Sequence, residues 1–272
     1  MSQHFNRARP LAAGLAIVAA TLVFAACGDD DDGGGGGDSG VDLVNSGQLT
    51  TCTHLPYRPF QFEQGGEIVG FDVDMIDLVA KRLGVEQAIV DTPFEGIQSG
   101  EDLNARKCDI AAAAMTITPE RQQKIAFSDP YFDANQALLV TKGSGIKTFD
   151  DLEGETLGVQ SGTTGKMYAE EHAAPAGVEL KDYEDLALEL SAVKSGQIPA
   201  AINDIPVLLD YAKQNPDVEV AATFETGEQY GFGMKKGTSQ ELERVVNEVI
   251  QQARTDGTYD RLYEKWFGTK PE

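Results

Sequence analysis

Apolar residues recur along this chain in two rhythms. Short apolar runs framed by polar residues fall at positions 49–53, 85–90, 110–115, 138–141, 157–160, 200–204 and 229–234, and each has the length and framing of a strand. Elsewhere apolar residues return every third or fourth position. Met75, Ile76, Val79, Ala80 and Leu83 make one helical face closed by Gly84, and Leu242, Val245, Val246, Val249, Ile250 and Ala253 make another closed by Asp256-Gly257. Further helices are expected to stop at Gly196, Asn215 and Gly268. Gly65-Gly66 marks a hairpin turn, and two prolines hold the loop at 54–60 extended. Strands alternating with helices, with two separate sets of ligand-type loops, indicate an α/β chain of two lobes.

The loops that follow the strands carry the chemistry. After the small apolar run at 110–115, Thr118-Pro119-Glu120-Arg121 has the form of a helix start, with Thr118 as cap and Pro119 where a missing N–H costs nothing. Arg121 then sits in the turn whose amides lack partners, so a guanidinium fork joins a place already suited to an anion of carboxylate size. A plain surface ion pair is the competing reading of Arg121. Ser161-Gly162-Thr163-Thr164-Gly165 again presents free amides after a strand; phosphate binding is a rival there, although Walker spacing is missing. Asp204 ends a small-residue strand and precedes Ile205-Pro206, the form of a helix cap. Asp72 and Asp74 read as a cap and a dipole partner for the helix that follows Gly70.

Composition narrows the setting. The 272 residues include 41% hydrophobic ones, ample for a packed core, and a net charge of -22 argues against nucleic acid and against electrostatic docking on anionic lipid. Residues 1–26 place Arg7 and Arg9 before an apolar run, the layout of a secretory signal. That run ends Phe24-Ala25-Ala26-Cys27, which resembles the lipobox of bacterial lipoproteins with Phe in place of the usual Leu. The resemblance implies lipidation of Cys27, against ordinary cleavage leaving a free thiol. Residues 27–46, rich in Asp and Gly, are expected to be a flexible tether. Cys52 and Cys108 remain, either bridged in an exported protein or reduced in the core, and nothing has the spacing of a metal cluster.

The stretch Thr116-Ile117-Thr118-Pro119-Glu120-Arg121 with Phe127-Ser128-Asp129, together with Gly70-Phe71-Asp72-Val73-Asp74 and the ending Lys265-Trp266-Phe267-Gly268, resembles the bacterial extracellular solute-binding proteins of family 3, across about residues 47–268. These deliver polar amino acids to ATP-driven importers. The resemblance implies a type II periplasmic-binding-protein-like clamshell with two hinge crossings, near 136–140 and 226–232, and lobes of 47–137 plus 231–272 and of 138–230. It implies that Arg121, Thr116 and Thr164 hold an α-carboxylate, that Asp204 and the backbone near Ala114 hold an α-ammonium, and that Tyr57 and Phe94 flank the ligand side chain, with His54 and Gln160 at side-chain-reading positions. Phe94 to Asp109 runs about two residues longer than the family's usual spacing, with Gly100 inside a would-be helix.

The expected protein is therefore an extracytoplasmic, lipid-anchored monomer. It would need no cofactor and would hand a free amino acid to a membrane permease and its ATPase. Glutamine and basic amino-acid binders often carry Asp where this chain has His54, and glutamine binders Lys where it has Gln160, which points to a neutral polar amino acid. The rival class is enzymatic, since cyclohexadienyl dehydratases share the fold; a ligand-sensing domain is the third.

Overall fold

The computed structural model describes residues 40–271. The expected signal, Cys27 and the tether up to residue 39 lie outside the described residues. Among those described, no helix is long and apolar enough to cross a membrane.

The strands in chain order are β1 (Gln48–Thr53), β2 (Phe62–Gln64), β3 (Glu67–Val69), β4 (Glu86–Asp91), β5 (Ile110–Ala111), β6 (Ile125–Phe127), β7 (Phe132–Thr141), β8 (Thr156–Gln160), β9 (Glu179–Tyr183), β10 (Ala200–Asp204), β11 (Val218–Tyr230) and β12 (Gly233–Lys235). They form two five-stranded sheets, ordered β4-β1-β5-β12-β6 and β11-β7-β10-β8-β9, and a small β2-β3 hairpin turning at Gly65-Gly66. In the first sheet β4, β1 and β5 are parallel and β12 runs against β5 and β6. In the second β9, β8 and β10 are parallel, and the long β7 and β11 pair antiparallel beside them. The chain leaves the first sheet between β6 and β7 and returns between β11 and β12. Each parallel run places its connecting loops at the carboxyl ends of its strands, where open α/β sheets bind ligands.

Aromatic rings fill the region of those two crossings. Tyr131 and Phe232 stack with ring centroids 4.0 Å apart, Phe132 stacks on Tyr230 at 5.6 Å, and Phe60 and Phe71 pack edge-on against Phe132. All six are buried, and the helices α1 (Phe71–Leu83), α8 (Gln240–Thr255) and α9 (Thr258–Phe267) close over them with the apolar faces legible in the sequence. Gly70 admits α1 to this packing. Its φ is +145°, and a Cβ there would lie 2.0 Å from the Phe60 carbonyl oxygen.

One expectation for α1 is corrected, that of Asp72 as its cap, while Asp74 stands in the first turn as expected of a dipole partner. Asp72 does not cap the helix, whose N-terminus has no side-chain cap; it is fully buried and accepts hydrogen bonds from the Ala114 N–H at 2.8 Å and the Tyr131 hydroxyl at 2.7 Å. Asp74 accepts from Lys265 Nζ and Trp266 Nε1, each at 2.6 Å, and so ties α1 to α9. Burial pushes Asp72 up to about 7 against those two hydrogen bonds. A carboxyl raised in the folded chain keeps its proton longer there than in the unfolded chain, so stability falls as pH climbs from 3.8 to about 7. Urea unfolding of Asp72→Asn is expected to show a flatter decline over that window than the wild type, and an unchanged slope would refute the assignment.

The long segment between β4 and β5 folds as two short helices, α2 (Phe94–Gln98) and α3 (Glu101–Asn104). Gly100 separates them at φ +78°, with the Ile125 methyl 2.5 Å from where its Cβ would stand. Before β1, Val41 and Leu43 pack partly on the core and the Val44 N–H donates to Asp109 at 2.6 Å, so the last residues of the expected tether lie against the folded body.

Candidate functional site

Between the two sheets lies a narrow cavity of about 20 Å³, room for about one water molecule. All nine residues singled out in the sequence line it: His54, Tyr57, Phe94, Ala114, Thr116, Arg121, Gln160, Thr164 and Asp204, joined by Gln61, Ala113 and Thr163.

Arg121 is placed by the helix start that the sequence announced. Helix α4 (Pro119–Lys124) is capped by Thr118, whose hydroxyl accepts from the Arg121 N–H at 3.2 Å. The side chain turns inward and is buried, so the ion-pair reading does not hold: no salt bridge to it is seen among the described residues. Its Nη1 donates to the Thr116 carbonyl at 2.7 Å and its Nη2 to the Gly162 carbonyl at 2.9 Å, the second bond crossing the cleft. A guanidinium has five N–H donors, so three remain for a ligand. The Phe94 ring lies beneath it, 5.4 Å from Cζ. Burial lowers the Arg121 pKa from its ordinary value, opposed by the anions Asp204 and Glu228.

Asp204 stands at the N-cap position of α7 (Ile205–Gln214) and yet caps nothing. Its carboxylate instead accepts from the Tyr57 hydroxyl at 2.6 Å, from the Tyr230 hydroxyl and from Gln136 Nε2. Of roughly four acceptor directions on a carboxylate, one is left on Oδ1. Burial is the first cause and Glu228 the second that push Asp204 up to about 6, while the hydrogen bonds from Tyr230, Tyr57 and Gln136 pull it down. Burial first, and then the neighbouring Asp204, hold Tyr57 and Tyr230 well above the ordinary phenol range.

Around this pair the remaining residues take distinct places. Ala114 adopts φ 47° with its N–H committed to Asp72, leaving its carbonyl as what the backbone offers a cation. Gln160 ends β8 and is buried; its Oε1 accepts from Asn203 Nδ2 at 3.3 Å. His54 Nδ1 lies 3.1 Å from the Thr92 carbonyl and must be the donor there, and Nε2 lies 3.4 Å from Asp185 Oδ1. Thr163 caps α5 (Thr164–His172) through the Lys166 N–H, which places Thr164 at the first helical position.

Sequence reasoning missed four residues of this network: Gln136, Asn203, Glu228 and Tyr230. Gln136 is fully buried on β7 at the head of the buried apolar run Ala137 to Val140, and an amide joined to such a run was the available signal. Glu228 and Tyr230 ride on β11, whose polar alternation hid the strand itself. Cys52 and Cys108 are joined in a disulfide. Among the described residues no group of three or more His, Cys, Asp or Glu is arranged to hold a metal.

The histidine-binding periplasmic protein of Escherichia coli (strain K12) is 34% identical over 223 residues, covering 78% of this chain and 84% of that protein. The arginine-binding extracellular protein ArtP of Bacillus subtilis (strain 168) is 30% identical over 93% of this chain and 96% of its own length. An ancestral arginine-binding protein solved with arginine superimposes with a TM-score of 0.77 at 40% identity, covering 82% of this chain and 99% of that one. The two-sheet architecture is the type II periplasmic-binding-protein-like clamshell of these relatives. Residues 49–269 match the family described as bacterial extracellular solute-binding proteins, family 3, and the chain belongs to it.

Proposed function

We propose that this protein is the extracytoplasmic binding component of an amino-acid ABC importer, seizing a free L-amino acid between its lobes. The observation that carries this reading is the pairing of Arg121 on α4 and Asp204 at the end of β10, buried opposite charges lining one cavity. An α-carboxylate takes the free guanidinium donors and an α-ammonium takes the open side of Asp204, so each buried charge gains a partner as water leaves. Contacts that span both lobes exist only when the lobes meet, so ligand favours the closed form, and that shape is what a permease and its ATPase read. The molecule acts as a monomer held at the membrane by lipid on Cys27; detergent-phase partitioning of the full chain against Cys27→Ser tests the anchor.

The side chain of the ligand is neutral and polar in this reading. Among the described residues Asp204 is the sole carboxylate lining the cavity, and His54, Gln160 and Phe94 offer hydrogen bonds and an apolar face. A cationic side chain is the second reading, favoured by Asp185 beside His54 and by Asp91, Glu95 and Glu184, which line an adjoining cavity. Thermal-shift and calorimetric titration with glutamine, asparagine, serine and threonine, against arginine, lysine and histidine, separates them. A ligand at a hundredfold excess over its Kd adds about 2.7 kcal/mol of stability. We expect that gain with a neutral polar amino acid; preference for arginine or lysine favours the second reading, and a flat panel with turnover of prephenate would replace both by the dehydratase class.

A further inference from the structure

Glu228 is absent from the reading above, although its carboxylate meets both threonines assigned to the ligand's carboxylate. Its Oε2 accepts from the Thr116 hydroxyl at 2.8 Å and from the Thr164 hydroxyl at 2.6 Å, and its Oε1 from Gln136 Nε2 at 3.1 Å. Thr116 follows β5 of the first sheet, and Thr164 opens α5 beside the second. One carboxylate on a crossing strand therefore joins the two sides of the cleft.

The backbone is shaped to put it there. The pairing of β11 with β7 slips between Phe224 and Glu228, so that four residues of β11 advance against two of β7, from Gln136 to Ala134. The slip is pinned by Asn135, which donates to Glu225 Oε2 at 3.0 Å and accepts from the Gly227 N–H at 2.8 Å, with Gly227 at φ 65°. Such bulges re-aim the side chain that follows them. Glu228 is the residue that follows.

Proton counting gives the chemical consequence. A threonine hydroxyl carries one proton. Thr164 Oγ1 also lies 3.4 Å from Gln136 Nε2, an amide nitrogen that only donates, so the Thr164 proton is free for Glu228. Thr116 Oγ1 lies 2.8 Å from the same carboxylate oxygen and 3.3 Å from Thr164 Oγ1, where either hydroxyl can donate, and the shorter bond to the charged oxygen takes its proton. Both hydroxyls then turn only lone pairs toward the cleft, the wrong polarity for a carboxylate and the right one for an ammonium. Held this way, Thr116 and Thr164 have only their backbone N–H groups to give an anion.

We infer that Glu228 is a positioning residue that clasps Thr116 to Thr164 across the cleft and fixes their hydroxyls as acceptors, steering the ligand's ammonium toward Asp204 and its carboxylate toward Arg121. This deepens the amino-acid reading and rests on it for the ligand, whereas the clasp itself is a property of the free protein. Asp204 is faced by Tyr57, Tyr230, Gln136 and Glu228, with Arg121 and Glu189 also within its electrostatic reach. Glu228 is the strongest charge raising it, so neutralising Glu228 lowers the pH at which Asp204 ionises.

The test uses the full chain, as wild type, Glu228→Gln, Glu228→Ala and Thr164→Val, each checked for folding by its thermal melt. Without ligand, small-angle scattering is expected to give a larger radius of gyration for Glu228→Ala and Thr164→Val than for wild type. With glutamine, histidine and arginine as probes, Glu228→Ala is expected to bind at least about tenfold more weakly, as loss of hydrogen bonds to a charged acceptor implies. In Glu228→Gln the acid midpoint of binding is expected to move to lower pH, which a merely structural role would not produce. Scattering unchanged in every folded variant, or an unmoved midpoint in Glu228→Gln, overturns the proposal. If neither these probes nor the wider amino-acid panel binds the wild type, the amino-acid reading fails and the scattering alone decides the clasp.

Discussion

Replacing Asp204 with Asn is expected to weaken amino-acid binding by about 10²- to 10³-fold at pH 7.5 while leaving the folded state at least as stable as before. The loss follows from geometry. Asp204 has one acceptor direction open and faces a cavity whose other charge is Arg121, so the ammonium of a bound zwitterion depends on this carboxylate to replace its water. An amide of the same shape keeps the tyrosine hydrogen bonds and removes the charge.

The stability half has the opposite sign. A folded-state pKa raised to about 6 from 3.8 means that the folded chain holds the proton over that interval and the unfolded chain does not. Stability therefore declines as pH rises through the interval and levels off above it, an ionisation cost of about 3 kcal/mol at neutral pH. Asn carries no such cost. Binding runs the other way, strengthening as Asp204 ionises above about 6. Calorimetry and urea unfolding on one preparation check both halves. Binding within threefold of wild type would remove Asp204 from the site, and a large loss of stability would make it a structural residue.

The contrast between Asp204 and Glu228 shows what a sequence can and cannot display. Arg121 was legible because its position depends on a local device, the Thr118-Pro119 start, whose geometry spans a few neighbouring residues. Asp204 was ambiguous for the same reason: a residue before Ile205-Pro206 looks like a cap, and only the three donors arriving from distant segments reveal another use. Gln136 and Glu228 act through partners up to 112 residues away, and no local pattern marks them. The hydrophobic rhythm gave the buried strands and the amphipathic helices well. It failed at β9, whose pattern is largely exposed, and along most of β11, where polar residues alternate outward and a bulge breaks the period. Asp72 was misread because a helix's first turn explains an Asp so readily that its long-range bond to Ala114 left no trace.

Reduction of the Cys52–Cys108 bridge is expected to lower the unfolding free energy by about 4 kcal/mol and the Tm by about 10 °C, without abolishing ligand binding. The bridge closes a loop across 56 positions, and joining its ends removes that much freedom from the unfolded chain. In the folded chain it adds little that is not already fixed. Cys52 lies on β1 opposite Ala111, Cys108 lies two residues before β5, and the two strands are in register through Thr51 with Ile110. Both sulfurs sit in an apolar cluster with Ile97, Leu103, Met115 and Ile125, where free thiols pack as small hydrophobes. The cleft residues that follow β1 and β5, Tyr57, Ala114 and Thr116, hang on strand pairing and on Asp72, so their geometry survives the loss of the covalent link. Urea unfolding with and without reductant, with amino-acid binding titrated under both conditions, reads the two effects separately. Equal unfolding midpoints would show that the bridge constrains nothing, and binding lost at full folding would show that it shapes the cleft directly.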